Sequence, residues 1–241
     1  LEQIGIATDG PLDYTDHPRW QPSIGFTQRG CRRRCPFCVV PTKEGAVRGA
    51  RTIAQIWRGD PWPRHILLLD NDFFGNPAWP ARIDELKAGR FRVCITQGIN
   101  ARMLDDETAG ALASVDYRDN RMQVRRLYTA LDHPGDTDRF LRGLRSLTDH
   151  GVRPHHILVY MLVGYWAGED QQARQQRLDA IREFGALPYP MPYVRTQELL
   201  GFQRWVIGGY DRSIGWDEWT TAEYRPSRLH RIDTGQLKLP A

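Results

Sequence analysis

The sequence predicts an α/β protein: a partial (β/α)6 barrel of the TIM-like kind, followed by a short C-terminal extension. Two observations carry this. Short apolar or β-branched runs alternate with stretches whose apolar residues recur every three or four positions. Glycine or proline marks the joins, at Gly30, Gly75, Gly98, Pro134, Gly151, Gly164 and Gly185. Such alternation implies a parallel sheet with right-handed crossovers, and six units stop short of a closed eightfold barrel. Sites on this scaffold gather where the strands end.

After a lead-in over residues 1–22, the first strand is expected at Ser23–Gln28 and the first helix at Thr52–Arg58. The second strand, His65–Asp70, leads to a helix at Ala81–Ala88, and the third, Arg92–Gln97, to a helix at Asp106–Ala113. The fourth strand, Gln123–Asp132, precedes a helix over Thr137–His150, in which Phe140, Leu144 and Leu147 mark one buried face. The fifth strand, His156–Gly164, is followed by a helix at Gln171–Phe184, and the sixth is Leu187–Val194. A short helix near Thr196–Val206 completes the barrel unit, 23–207. Residues 208–241 form an irregular extension whose Trp216, Trp219 and Tyr224 demand burial on the barrel.

A chain of 241 residues suits one large domain with a tail, and 41% hydrophobic with 26% charged residues is ordinary globular composition. No apolar run approaches the roughly 18 residues that suggest a membrane span. No signal peptide opens the chain, and the four cysteines fall three plus one rather than as a disulfide framework. The expected compartment is therefore the reducing cytoplasm, with no membrane partner. The numbering begins at Leu1, which leaves room for a preceding segment. A net charge of +4 permits an anionic substrate but falls short of a nucleic-acid-binding signature.

The most informative stretch is Gly30-Cys31-Arg32-Arg33-Arg34-Cys35-Pro36-Phe37-Cys38, directly after the first strand. Three thiolates on one tight loop can hold three irons of a [4Fe-4S] cluster, leaving the fourth iron open to an exogenous ligand. The neighbouring arginines would favour thiolates and offset added negative charge. A zinc site is the alternative, but zinc wants four ligands, and the remaining cysteine, Cys94, lies inside the third strand as a small core residue. His155 and His156 stand at the N-terminal end of the fifth strand, the wrong end for catalysis, and read as structural.

The spacing C-x3-C-x-x-C after a first strand, with an aromatic residue before the last cysteine, resembles the radical S-adenosylmethionine (SAM) superfamily. More narrowly, CPFCVVPTKEG followed by HILLLDNDFFGNP resembles the branch that contains tRNA methylthiotransferases and cobalamin-type proteins, over Ser23 to Tyr193. The resemblance implies that Cys31, Cys35 and Cys38 bind a [4Fe-4S] cluster and that Phe37 borders the adenine of SAM. It further implies that Asp70 and Asp72, at the second strand end, meet the methionyl ammonium. By position, Asp132 would contact ribose or the methionyl carboxylate, and Leu162-Val163-Gly164 would line the adenine. The implied reaction takes one electron from a flavodoxin- or ferredoxin-type reductant and cleaves SAM to methionine and a 5′-deoxyadenosyl radical, which abstracts a substrate hydrogen.

Departures narrow the branch. Asp70-Asn71-Asp72 replaces a glycine-rich segment, the chain lacks cysteines for a second cluster, and no D-x-H-x-x-G cobalamin motif is present. Gln97, Asn100 and Arg102 after the third strand are either an active-face polar group or loop hydrogen-bonding residues. The substrate stays open among nucleic acid or nucleotide, peptide and small metabolite. Arg195, Arg204, Arg212, Arg225 and Arg228, interleaved with Tyr193, Trp205, Tyr210, Trp216, Trp219 and Tyr224, could bind phosphates and bases, or simply pack and solvate the C-terminal segment. A different class also stands beside the enzyme: a non-catalytic iron–sulfur or zinc module that binds a partner.

Overall fold

The computed structural model describes residues 12–97 and 99–220. In chain order its elements are β1 (Ser23–Gly25), β2 (Gln28–Arg29), α1 (Val40–Lys43), β3 (Arg48–Gly49), α2 (Ile53–Ile56), β4 (His65–Leu68), α3 (Trp79–Ala88), β5 (Arg92–Ile95) and α4 (Asp106–Ala113). They continue as β6 (Asp116–Tyr117), β7 (Leu127–Ala130), α5 (Thr137–Asp149), β8 (Ile157–Val163), α6 (Gln171–Glu183), β9 (Leu187–Pro192), α7 (Gln197–Ile207) and α8 (Trp216–Thr220).

Two parallel sheets form the α/β scaffold. One runs β1-β4-β5-β6 and the other β7-β8-β9, with Ser23 opposite Ile66, Leu67 opposite Cys94, and Tyr160 opposite both Ala130 and Tyr189. Among the described residues a single parallel bridge, Ile99 to Thr129, joins them. The Ile99 N–H donates to the Tyr128 carbonyl at 2.7 Å, and the Thr129 hydroxyl donates to the Ile99 carbonyl at 2.8 Å. All six sequence-predicted strands are present, and among them chain order is also spatial order.

Strand ends differ from the expectation for a consistent reason. The run Ser23–Gln28 splits into β1 and β2 because the Asp70 carboxylate takes the N–H groups of Thr27 at 2.8 Å and Gln28 at 3.4 Å, removing both from the ladder. β2 turns away to pair antiparallel with β3. The run Gln123–Asp132 shortens to β7 because Asp119 accepts from the N–H groups of Gln123 and Val124 at 2.7 and 3.2 Å. The two-residue strands β3 and β6 and the short helices α1 and α8 carry no readable period, and the sequence gives no sign of them.

The main core lies between the sheets and the helices. Phe140, Leu144 and Leu147 of α5 are fully buried, as their spacing predicts, and meet the buried Ile157, Val159, Met161 and Val163 of β8 in one cluster. On the opposite sheet face a smaller cluster holds Leu67, Cys94 and Met122, with Trp20, Ile24, Leu69 and Tyr128 against it. In the extension, Trp216 packs on Phe202 and Trp205, and Tyr210 stacks on Trp219 at 4.7 Å. In these contacts Trp205 is buried and Tyr210, Trp216 and Trp219 are half-buried, whereas Tyr193 is exposed; Tyr224, Arg225 and Arg228 lie outside the described residues. Among the described residues no helix is long and apolar enough to cross a membrane.

Candidate active site

The cysteine loop is fixed before its thiols are considered. Gly30 has φ +78°, and a Cβ there would stand 2.2 Å from the Ala46 carbonyl oxygen, so the turn into the loop requires glycine. Glu44 gathers the base of the loop, accepting from Gly30 N–H at 3.0 Å, Arg29 Nη2 at 2.8 Å and Asn71 Nδ2 at 3.0 Å. Arg32 ties the loop to the end of β4. Its Nε and Nη2 donate to Asp72 at 2.7 and 2.9 Å, and its backbone N–H adds a third bond at 3.1 Å. Between the second and third cysteines, Cys38 N–H closes a tight turn on the Cys35 carbonyl at 3.0 Å.

Cys31, Cys35 and Cys38 are all free and half-buried. Burial pushes the Cys31 thiol up, the Arg33 N–H at 3.4 Å from its sulfur pulls it down, and Asp72, Cys35 and Cys38 push it up again. Among the described residues no three His, Cys, Asp or Glu side chains are gathered into a metal-binding group. The donor chemistry nevertheless fits an iron–sulfur cluster. Three thiols on one loop within each other's field repel as thiolates, and the positive charge of bound iron would offset that repulsion and so favour their deprotonation. Cys94 is fully buried, with its thiol pushed up to about 12, and takes its expected place in the core.

The loop forms one wall of a cleft of about 410 Å³, a volume suited to a small ligand. Arg32 through Phe37 line that wall; Arg102 and Met103 come from the turn after β5, Asp132, His133 and Asp136 from the end of β7, and Trp166 from the end of β8. These chain positions are the C-terminal ends of the parallel strands. Phe37 meets Tyr165 and Trp166 edge-on at 5.4 and 6.2 Å, and Trp166 meets His133 at 4.5 Å. The Trp166 indole N–H donates to the Asp132 carbonyl at 2.8 Å, which sets the ring.

Asp132 accepts from the Leu162 N–H at 3.3 Å, and burial holds its carboxyl above the usual range despite the nearby Arg102 and Arg177. Gly164 closes β8 at φ +78°, with a Cβ there only 2.2 Å from Leu199 Cδ1, and its N–H donates to Glu169. Glu169 pairs with Arg177, whose Nη1 donates to the carbonyls of Asp132 at 2.9 Å and Leu162 at 2.7 Å. The ends of β7 and β8 are thus clamped together beside the cleft.

No protein-family model, curated protein or solved structure matches this chain.

The sequence-derived residues sort by location. Phe37, Cys35 and Asp132 line the cleft, and Asp72 acts on the loop through Arg32. Asp70 is fully buried, with its carboxylate accepting from the Thr27 N–H and hydroxyl and the Gln28 N–H; burial raises it to about 7. Of the polar group after the third strand, Arg102 lines the cleft, held by Asp136 and by Asn100 at 3.1 Å, while Gln97 is exposed. His133, Asp136 and Trp166 escaped the sequence reading. Their one signal is position, just beyond the ends of the fourth and fifth predicted strands.

Proposed function

We propose that this chain is a radical SAM enzyme. The observation that carries the reading is the C-x3-C-x-x-C loop, whose Arg32–Phe37 stretch, Cys35 included, forms a wall of the cleft at the C-terminal ends of parallel strands, with Cys31 and Cys38 flanking that stretch in the chain. Chain order matching spatial order across the six strands supports a partial barrel. Cys31, Cys35 and Cys38 would hold a [4Fe-4S] cluster, which supplies the electron that breaks a carbon–sulfur bond of SAM to give methionine and a 5′-deoxyadenosyl radical.

The chain's own residues bind, orient and exclude water. Phe37 borders the adenine, and Tyr165, edge-on to Phe37 at 5.4 Å, extends that apolar surface. Asp132 keeps one oxygen on the Leu162 N–H and offers the other to a hydroxyl or ammonium. Asp72 serves by holding Arg32 and hence the loop. A one-electron reductant of flavodoxin or ferredoxin type delivers the electron, and free cysteines suit a reducing cytoplasm.

The test is anaerobic reconstitution with iron and sulfide, followed by dithionite and SAM, with 5′-deoxyadenosine and methionine as readouts. Their appearance, and their loss in Cys35→Ala, supports the enzyme. A chain that takes up a cluster or zinc but leaves SAM intact is a non-catalytic binding module instead.

A further inference from the structure

The cleft holds more hydrogen-bond donors than it uses. Arg32 is spent on Asp72 and Arg102 on Asp136. Arg33 and Arg34 line the same cleft, and their guanidinium groups have no hydrogen bond or ion pair among the described residues. Arg33 is half-buried, and its Nε is shielded from solvent without a partner, a costly arrangement for a cation. His133 adds a third donor. Its Nδ1 accepts the Gly135 N–H at 3.0 Å, so the neutral ring carries its proton on Nε2.

The acceptors in the cleft do not balance these donors. Asp136 is occupied by Arg102, and Asp132, with one oxygen on the Leu162 N–H, leaves a single carboxylate oxygen against three donors. What remains is two unpaired guanidiniums and an imidazole N–H beside the aromatic surface of Phe37 and Trp166. Guanidinium presents a fork of N–H groups matched to oxyanions, and several such donors suit an oxyanion with three free oxygens better than a carboxylate with two.

We propose that the cleft takes a substrate bearing a phosphate group, held by Arg33, Arg34 and His133, with its apolar part against Trp166. This deepens the radical SAM reading and rests on it only in calling the occupant a substrate.

The test is equilibrium binding of phenyl phosphate, benzoate and phenol to the anaerobically reconstituted full chain, with iron content measured on each variant. Phenyl phosphate is expected to bind at least about tenfold more tightly than benzoate or phenol. Arg33→Gln, Arg34→Gln and His133→Ala should each weaken it by about tenfold, the loss expected for one charge-assisted bond. Arg145→Gln, exposed on α5, should leave it unchanged. The proposal falls if phenyl phosphate does not bind, if benzoate equals it, or if none of the three substitutions weakens it. It also falls if only Arg33→Gln acts and does so with loss of iron, because Arg33 then serves the cluster. SAM cleavage is read separately as 5′-deoxyadenosine. Arginine-dependent phosphate binding without cleavage overturns the radical reading alone, and cleavage without phosphate binding overturns this proposal alone.

Discussion

Asp72 accepts three hydrogen bonds from the single residue Arg32, and a Cβ on Gly75 would stand 2.5 Å from its Oδ2, so the carboxylate is seated from both sides. Asp72→Asn keeps the shape and removes the charge. It should cost about 1–3 kcal/mol of stability and lower the iron retained per chain after reconstitution, measured by iron assay against the urea midpoint. Asp70, two residues earlier, has a different life. Its folded pKa of about 7 lies above the unfolded value of 3.8, so between those pH values the native state holds a proton that the unfolded chain releases. Its contribution to stability therefore falls as pH rises from about 4 to 7. Asp70→Asn should gain on the wild type between pH 5 and pH 8, as read from paired urea midpoints. The sequence marks both aspartates by their place after a strand. Which one turns inward depends on Thr27 and Gln28, far away in the chain, and no local pattern encodes that.

Elements with a strong period were legible. The α5 face of Phe140, Leu144 and Leu147 is buried as its spacing requires, and the six longer strands all occur. What escaped is where elements stop, because a carboxylate elsewhere captures backbone donors, as Asp119 does at the start of β7. The cysteine loop was legible for another reason: its chemistry is written in spacing alone, whereas the opposite wall of the cleft is assembled from residues that share no motif. The clamp on β7 and β8 belongs to this scale. Arg177 and Glu169 are 0% and 2% exposed at their side chains. Arg177→Met leaves the Glu169 charge buried without its partner and should destabilise by about 3–5 kcal/mol. Arg177→Met with Glu169→Leu should recover much of that loss, because a buried pair exchanged for apolar groups is often near neutral. Chemical denaturation of the three chains checks both.

At the scale of the molecule, the fold is two parallel sheets meeting at the Ile99–Thr129 bridge. Thr129 serves it twice, donating its hydroxyl to the Ile99 carbonyl and accepting the Ala101 N–H at 3.3 Å. Helix α5 lies close behind: a Cβ on Gly143 would come within 1.8 Å of the Ala101 carbonyl oxygen. Thr129→Val removes both hydroxyl bonds while keeping the volume, and should speed amide exchange at Ala101 without lowering protection within β4 or β8, measured by hydrogen–deuterium exchange.

The bridge has a consequence for the cleft. The cysteine loop and its anchor at Asp72 belong to the first sheet, whereas Asp132, His133 and Trp166 belong to the second. Each sheet therefore owns one jaw, the threonine-laced joint stands between them, and Phe37 meets Tyr165 and Trp166 where the jaws touch.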